Sequence, residues 1–321
     1  MIQVQGLTKT YRGRAVVDGI SFEAGRGEIV GFLGPNGAGK STTMRILSGF
    51  LLPTSGKVEI AGHDIVEESL QARRHLGYMP EDVPLYPEMR VEEYLRYRAG
   101  IKGVPRDRLS ARVTANMERC GVAQVARKLI GTLSKGYRQR IGLADALVHD
   151  PEILILDEPT NGLDPNQIRS VREIIRSLAG QHTVLLSTHI LAEVEAVCER
   201  VIILDGGRIK ATGDPASLAR RLERGARLAL EAKGPGTEAM EKALLRVVGV
   251  SEVRSEALPG DWTRFELGVR GGEDPREEIF RVVNLEQWTL RHLSMEPATL
   301  EEIFAGLTAE SDRETEPQER A

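Results

Sequence analysis

Cysteine is scarce in this chain: two in 321 residues, Cys120 and Cys198, far apart and without metal-ligand spacing. That excludes a disulfide framework and a thiolate metal centre, and leaves two reduced core or helix residues. Aromatic residues make up only 4%. No apolar run approaches the roughly 20 residues that a membrane-crossing helix requires. An excess of positive charge is lacking too: the formal net charge is −4, which argues against nucleic acid as a partner. Met1-Ile2-Gln3-Val4 shows neither the basic nor the apolar part of a secretory signal, so a cytoplasmic location is expected. None of these absences argues against docking on a membrane protein. Hydrophobic residues at 41% and charged residues at 28% are ordinary globular values, and the length suggests two domains.

Glycine, by contrast, is plentiful at 33 residues, and its most informative use is Gly34-Pro35-Asn36-Gly37-Ala38-Gly39-Lys40-Ser41-Thr42. The apolar run Ile29-Val30-Gly31-Phe32-Leu33 precedes it and Thr43-Met44-Arg45-Ile46-Leu47 follows, a strand, a turn and a helix start. The spacing G-x-x-x-x-G-K-[ST] is the P-loop. Its glycines let backbone N–H groups point inward around phosphate oxygens, and the helix that follows aims its dipole at the same anion. Lys40 adds a point charge for the β/γ-phosphates and the Ser41 hydroxyl can bind Mg²⁺. A bound nucleoside triphosphate is the expectation.

Strands are expected at 2–4, 14–17 and 20–23, with Tyr11 in the turn between the first two. Lys57-Val58-Glu59-Ile60 reads as a strand, 63–76 as helical, and His75 to Glu81 as a short strand entering a proline-broken loop. Helical periodicity from Arg90 to Leu129 points to a helical subdomain inserted at about 82–150. Ile153-Leu154-Ile155-Leu156-Asp157 is apolar throughout, as in a buried parallel strand. Asp164-Pro165 opens a helix, 183–187 is a second central strand, and 201–210 a hairpin. Beyond Gly225 the expected order is strand 227–233, helix 237–247, strands 250–256 and 263–270, helix 275–284 and strand 289–295. That βαββαβ order suggests a ferredoxin-like domain. A closing helix from Thr299 and a disordered tail at 309–321 complete the expectation.

Walker B chemistry follows from the strand that ends in Asp157. An acid delivered there holds Mg²⁺, and Glu158 is placed to polarise a water for in-line attack on the γ-phosphate. Upstream stands Leu133-Ser134-Lys135-Gly136-Tyr137-Arg138-Gln139-Arg140. It resembles the signature segment of ABC-type ATPases. The resemblance extends to Tyr11 as the adenine-stacking aromatic, Gly77-Tyr78-Met79-Pro80-Glu81 as the Q-loop, Gly162-Leu163-Asp164-Pro165 as the D-loop and Ser187-Thr188-His189 as the switch histidine. The chain departs from the common pattern at Lys135, Tyr137 and Glu81. With those departures it looks like the ATP-binding subunits of ABC-2-type exporters, and is similar to the gliding-motility-associated ones.

The resemblance implies an α/β P-loop NTPase fold over 1–224, with a RecA-like core, an antiparallel β subdomain and the helical insert, followed by an α+β accessory domain at 225–308. It implies ATP sandwiched between the P-loop of one subunit and Ser134, Gly136 and Gln139 of another, in a homodimer or paired with a second ATPase subunit. Glu158 would be the base, His189 the γ-phosphate sensor and Asp164 a link across the dimer. Ser41, Asp157 and Glu81 would face Mg²⁺; a glutamate at Glu81 only accepts hydrogen bonds where the family's glutamine also donates. An integral-membrane permease encoded separately would hold the subunit on the cytoplasmic face. The competing reading, a soluble ABC ATPase remodelling a ribosome or nucleic-acid complex, lacks support: the chain has one P-loop, no heptad run and no basic tract.

Overall fold

The computed structural model describes residues 1–221, 227–269 and 274–296. The chain forms two compact units, Met1–Pro215 and Ala216–Ala321. The first begins β1 (Ile2–Tyr11), β2 (Arg14–Ala24), β3 (Ile29–Leu33), α1 (Lys40–Leu47), β4 (Ser55–Ile60) and β5 (His63–Asp64). It continues α2 (Ser69–Arg74), β6 (Leu76–Met79), α3 (Val91–Ile101), α4 (Arg106–Arg119) and α5 (Lys135–Leu147). Then come β7 (Ile153–Asp157), α6 (Pro165–Arg176), β8 (Thr183–Thr188), α7 (Leu191–Val197), β9 (Arg200–Asp205) and β10 (Arg208–Gly213), with α8 (Pro215–Arg221) starting at the boundary.

Two sheets share the core of this unit. The antiparallel one has the order β2-β1-β4-β5; the larger has the order β10-β9-β3-β8-β7-β6, parallel except for the β9–β10 hairpin. Every residue of β3, β7 and β8 is buried, which is why β3 and β7 read as apolar runs rather than alternating ones. Ile2 and Leu7 of the antiparallel sheet, Phe32 and Ile155 of the parallel one, and Met44 and Leu47 of α1 belong to one buried cluster. Because β3, β8 and β7 are adjacent and parallel, with Leu33 beside Thr188 and Asp157 beside Ser187, their carboxyl ends open on one edge. Ligands of open α/β sheets bind at such an edge.

Three local expectations change. The helix expected over 63–76 shrinks to α2, because His63–Asp64 pairs with β4. The Asp64 carboxylate accepts from the Val66 and Glu67 N–H groups at 2.8 and 3.1 Å, a side-chain turn that delays the helix. The two strands expected at 14–17 and 20–23 are one, β2, whose pairing with β1 shifts register between Val4 and Thr10, as bulges allow. Finally, α7 follows His189 over Leu191–Val197, where no helix was expected although Leu191, Val194 and Val197 recur at helical spacing.

The second unit contains β11 (Arg227–Lys233), α9 (Thr237–Leu244), β12 (Val250–Leu258), β13 (Trp262–Val269), α10 (Arg276–Leu285) and β14 (Thr289–Glu296). Its sheet order β12-β13-β11-β14 is antiparallel throughout, the ferredoxin-like arrangement of a βαββαβ chain. Leu230, Phe265 and Leu267 of the sheet pack with Met240, Leu244 and Ile279 of the helices. The closing helix expected from Thr299 and the tail at 309–321 lie outside the described residues.

Candidate active site

The P-loop closes tightly on its surroundings. A Cβ at Gly34 would stand 2.3 Å from the Leu204 carbonyl oxygen, and one at Gly39 2.6 Å from that of Val16; Gly39 also has φ +100° as it caps α1. Glycine alone fits both. No side chain caps α1, so the N–H groups of its first turn stay available to an anion. Lys40 is 5% exposed. Its Nζ donates to the Gly34 and Pro35 carbonyls at 2.7 and 3.1 Å and stands 3.5 Å from Glu158 Oε1.

The Ser41 hydroxyl donates to Asp157 Oδ1 at 3.1 Å, and the Ser187 hydroxyl donates to the same oxygen. Next in the chain, Glu158 takes a left-handed backbone, φ +48°. Its N–H donates to both the carbonyl and the hydroxyl oxygen of Ser187 at 3.1 Å, which holds this costly conformation in place. Glu158 Oε2 lies 2.9 Å from His189 Nδ1. Burial pushes the Glu158 carboxyl above the usual glutamate range, with Lys40 and then His189 pulling the other way. Burial likewise raises Asp157, against the hydrogen bonds from Ser187 and Ser41. Lys40, Ser41, Glu158 and His189 line a cleft of about 320 Å³ together with Pro35, Asn36, Gly37, Gly39 and Thr42 of the P-loop, while Asp157 and Ser187 are buried outside its lining.

Glu81 also lines this cleft, its Oε1 accepting from Asn161 Nδ2 at 2.8 Å. Asn161 and Val16 line it too, and sequence reasoning missed both. Asn161 sits between Glu158 and Asp164, where its position beside the base was a usable signal; Val16 offered none. Tyr11 stands apart from this lining. It is 46% exposed, with the Lys9 ammonium 5.3 Å from its ring centre. Asp164 caps α6, accepting from the Gln167 N–H at 2.9 Å.

Ser134, Gly136 and Gln139 gather at the start of α5, outside the lining of the cleft. Gln139 is buried and its Nε2 reaches the Glu81 carbonyl at 3.5 Å. A Cβ at Gly136 would stand 2.3 Å from Gln167 Oε1, and one at Gly162 2.3 Å from Lys135 Nζ. The signature segment therefore rests directly on the D-loop and α6. Lys135, one of the departures from the common pattern, fills the space over Gly162. Tyr137, another departure, lies under the Arg140 guanidinium, 4.5 Å from its ring centre, and its hydroxyl accepts from Gln124 Nε2 at 3.2 Å.

A phosphate cradle, a buried lysine, a strand-end acid and a carboxylate–histidine pair on one edge of a parallel sheet suit the binding and hydrolysis of a nucleoside triphosphate. The family profile described as ABC transporter matches residues 17–161. The linearmycin resistance ATP-binding protein LnrL of Bacillus subtilis (strain 168) is 31% identical over 316 residues, covering 98% of this chain and 100% of the relative. The daunorubicin resistance ATP-binding protein DrrA3 of Streptomyces coeruleorubidus is 32% identical over 313 residues, 97% of each. Among solved structures, one titled "Structure of ATP binding subunit of ABC transporter" superposes with a TM-score of 0.64 at 32% identity, covering 69% of this chain and 92% of that one. The chain belongs to the ABC transporter family, as an ATP-binding and ATP-hydrolysing subunit.

Proposed function

We propose that this subunit powers an ABC-2-type exporter by closing, with a second ATPase subunit, around ATP. The observation that carries the reading is the division of the site. The P-loop, Glu158 and His189 share one cleft, while Ser134 and Gly136 present a helix start away from it, suited to the γ-phosphate of a nucleotide held by another subunit. Relatives along nearly the full chain are named for resistance to linearmycin and daunorubicin, which supports export. No described helix is long and apolar enough to cross a membrane, so a separate permease would provide the path.

A groove of about 610 Å³ suits such a partner. Leu70, Arg73, Tyr78, Arg98, Ile101 and Lys102 contribute to its lining. Leu70 and Ile101 are each 60% exposed; Asp145 already pairs with Arg98 and Lys102, which leaves Arg73 and Arg74 as the cations of the lining. A short amphipathic, acidic cytoplasmic segment of the permease matches this lining, apolar side to apolar side and acid to base. It would also fix the subunit at the membrane surface.

In the reaction, the first turn of α1 and Lys40 hold the β/γ-phosphates. Glu158 accepts a proton from the water that attacks the γ-phosphorus in line, and His189 orients Glu158 and stabilises the charge that develops on the transferring group. Ser41 and Asp157 would hold Mg²⁺, with Glu81 facing the same cleft. A hydroxyl and carboxylates are hard oxygen donors that fit an ion taking most of its remaining ligands from phosphate and water. Mg²⁺, when bound, offsets the charge of the phosphates.

The Glu158→Gln variant tests the reading. It is expected to keep ATP affinity, lose turnover by about 10²–10⁴-fold and accumulate an ATP-bound dimer in size-exclusion chromatography. Undiminished turnover would remove Glu158 from the role of base.

A further inference from the structure

Behind the Glu158–His189 pair lies a carboxylate that this mechanism leaves unused. Glu193, on α7, is 2% exposed. One of its oxygens accepts from the Thr160 hydroxyl, and the other from the Thr188 hydroxyl at 2.7 Å. Thr160 follows Glu158 by two residues and Thr188 directly precedes His189, and both threonines are buried. Since the Thr188 hydroxyl donates to Glu193, it is left to accept, and it accepts from the Ile190 N–H at 3.0 Å. That fixes the turn on the far side of His189. One carboxylate thus ties together the two strand-end loops that meet at the 2.9 Å contact between Glu158 and His189.

The nearest cation, Arg172, is 4.0 Å away, too far for a direct hydrogen bond. A buried acid in that setting contributes little to stability compared with a well-packed apolar side chain. An ionised carboxylate does offer something else: it accepts on both oxygens, so it forces both threonine hydroxyls to donate and settles the orientation of each loop. We infer that Glu193 is a positioning residue that sets the registration of the base Glu158 against His189. This rests on the roles proposed above for those two residues.

Steady-state ATP hydrolysis by the full chain tests the inference. Glu193→Ala is expected to lower kcat by about 10–100-fold, the scale of a misplaced catalytic group, with the KM for ATP changed by less than about twofold. In a His189→Ala background, where no partner remains to be aligned, the same substitution should cost less than about threefold in single-turnover rate, the non-additivity of residues acting as a unit. Thr188→Ser should retain activity and Thr188→Val lose it. If Glu193→Ala fails to fold, the isosteric Glu193→Gln, which can accept from only one hydroxyl, should show an intermediate loss in kcat. Equal losses in the two backgrounds, or a rise in KM that matches the fall in kcat, would overturn the inference. Glu158→Gln measured alongside separates the two layers. Turnover retained in that variant undermines the underlying roles; turnover lost, with Glu193→Ala and His189→Ala losses that multiply, removes only the positioning role.

Discussion

At the P-loop, Lys40 has two backbone carbonyls and Glu158 around it within its own chain. At the signature segment, Ser134 caps α5 without a side-chain hydrogen bond, and Gln139 Oε1 is buried with no partner. The first region is a set of opposite charges balanced in advance, so an incoming triphosphate exchanges one set of partners for another. The second is a helix start with no charged partner of its own, the region proposed above to meet a nucleotide held by another subunit. On that proposal a single chain would hold nearly all of the chemistry, but only half of the enclosure.

Damage to one region in each of two chains should have the largest effect. Lys40→Ala is expected to lose ATP binding and turnover by more than about 100-fold, since a charged hydrogen-bond donor to phosphate is removed. Gly136→Asp places a carboxylate at the second anion site, against Gln167, and should keep nucleotide binding while losing turnover to a similar degree. Mixed, the two variants form heterodimers with one intact site, so ATPase activity should return to a substantial fraction of the parent value. A mixture as inactive as its components would mean that the two regions do not meet across a dimer.

A smaller effect separates the charge balance at the P-loop from its geometry. Glu158 must be ionised to accept a proton, and burial raises its carboxyl. The acid limb of kcat/KM against pH should therefore lie above the usual glutamate value of roughly 4.3. In residual activity of His189→Ala the limb should move higher still, because a group that lowers the Glu158 carboxyl is gone. The sign for stability is the reverse of a salt-bridged acid. Between the unfolded and the raised folded value the native state binds more protons, so stability falls as pH rises through that window. At neutral pH, Glu158→Gln should accordingly melt above the parent protein in calorimetry.

The smallest effect concerns the scaffold under the P-loop strand. Arg200 donates to both oxygens of Glu28, at 2.6 and 2.9 Å, and to the Glu23 carbonyl at 2.7 Å, joining β9 to the end of β2. The Arg200 hydrogen bond holds Glu28 below its usual range. Here the folded value is depressed, so the stabilisation is present above the unfolded value and lost as pH falls through the folded one. Arg200→Met should cost about 1 kcal/mol at neutral pH, on the scale of a partly exposed bidentate pair. Thermal melts should show this difference shrinking below pH 4 or so. A constant difference across that range would assign the loss to packing.

Sequence spacing revealed the P-loop, the strand ending in Asp157 and the βαββαβ order because each depends on neighbours within a few positions. Gly39 shows why: its φ of +100° belongs to the motif's own backbone, whereas the close approach of the Leu204 carbonyl to Gly34 is visible only in the fold. The remaining cleft was hidden because it is assembled from distant segments. Val16 reaches it from β2, and Asn161 reaches Glu81 across 80 positions of sequence. Tyr11 was expected as the adenine-stacking aromatic on the family resemblance, and its exposed ring lies outside the lining of the phosphate cleft. Glu193 was illegible because its contact with Thr160, 33 positions away, forms only once β7 and β8 pair.

The close seating of Gly136 on Gln167, and of Lys135 over Gly162, has a mechanical consequence. The Gln167 and Lys135 side chains stand between α5 and the segment that starts just after Glu158, so a tilt or advance of α5 must be accommodated by them or passed on to that segment. In the face-to-face dimer proposed above, the surface that meets the neighbour's nucleotide would thus be linked through these side chains to the loop beside the chain's own base, and the state of either nucleotide would bear on the machinery acting on the other.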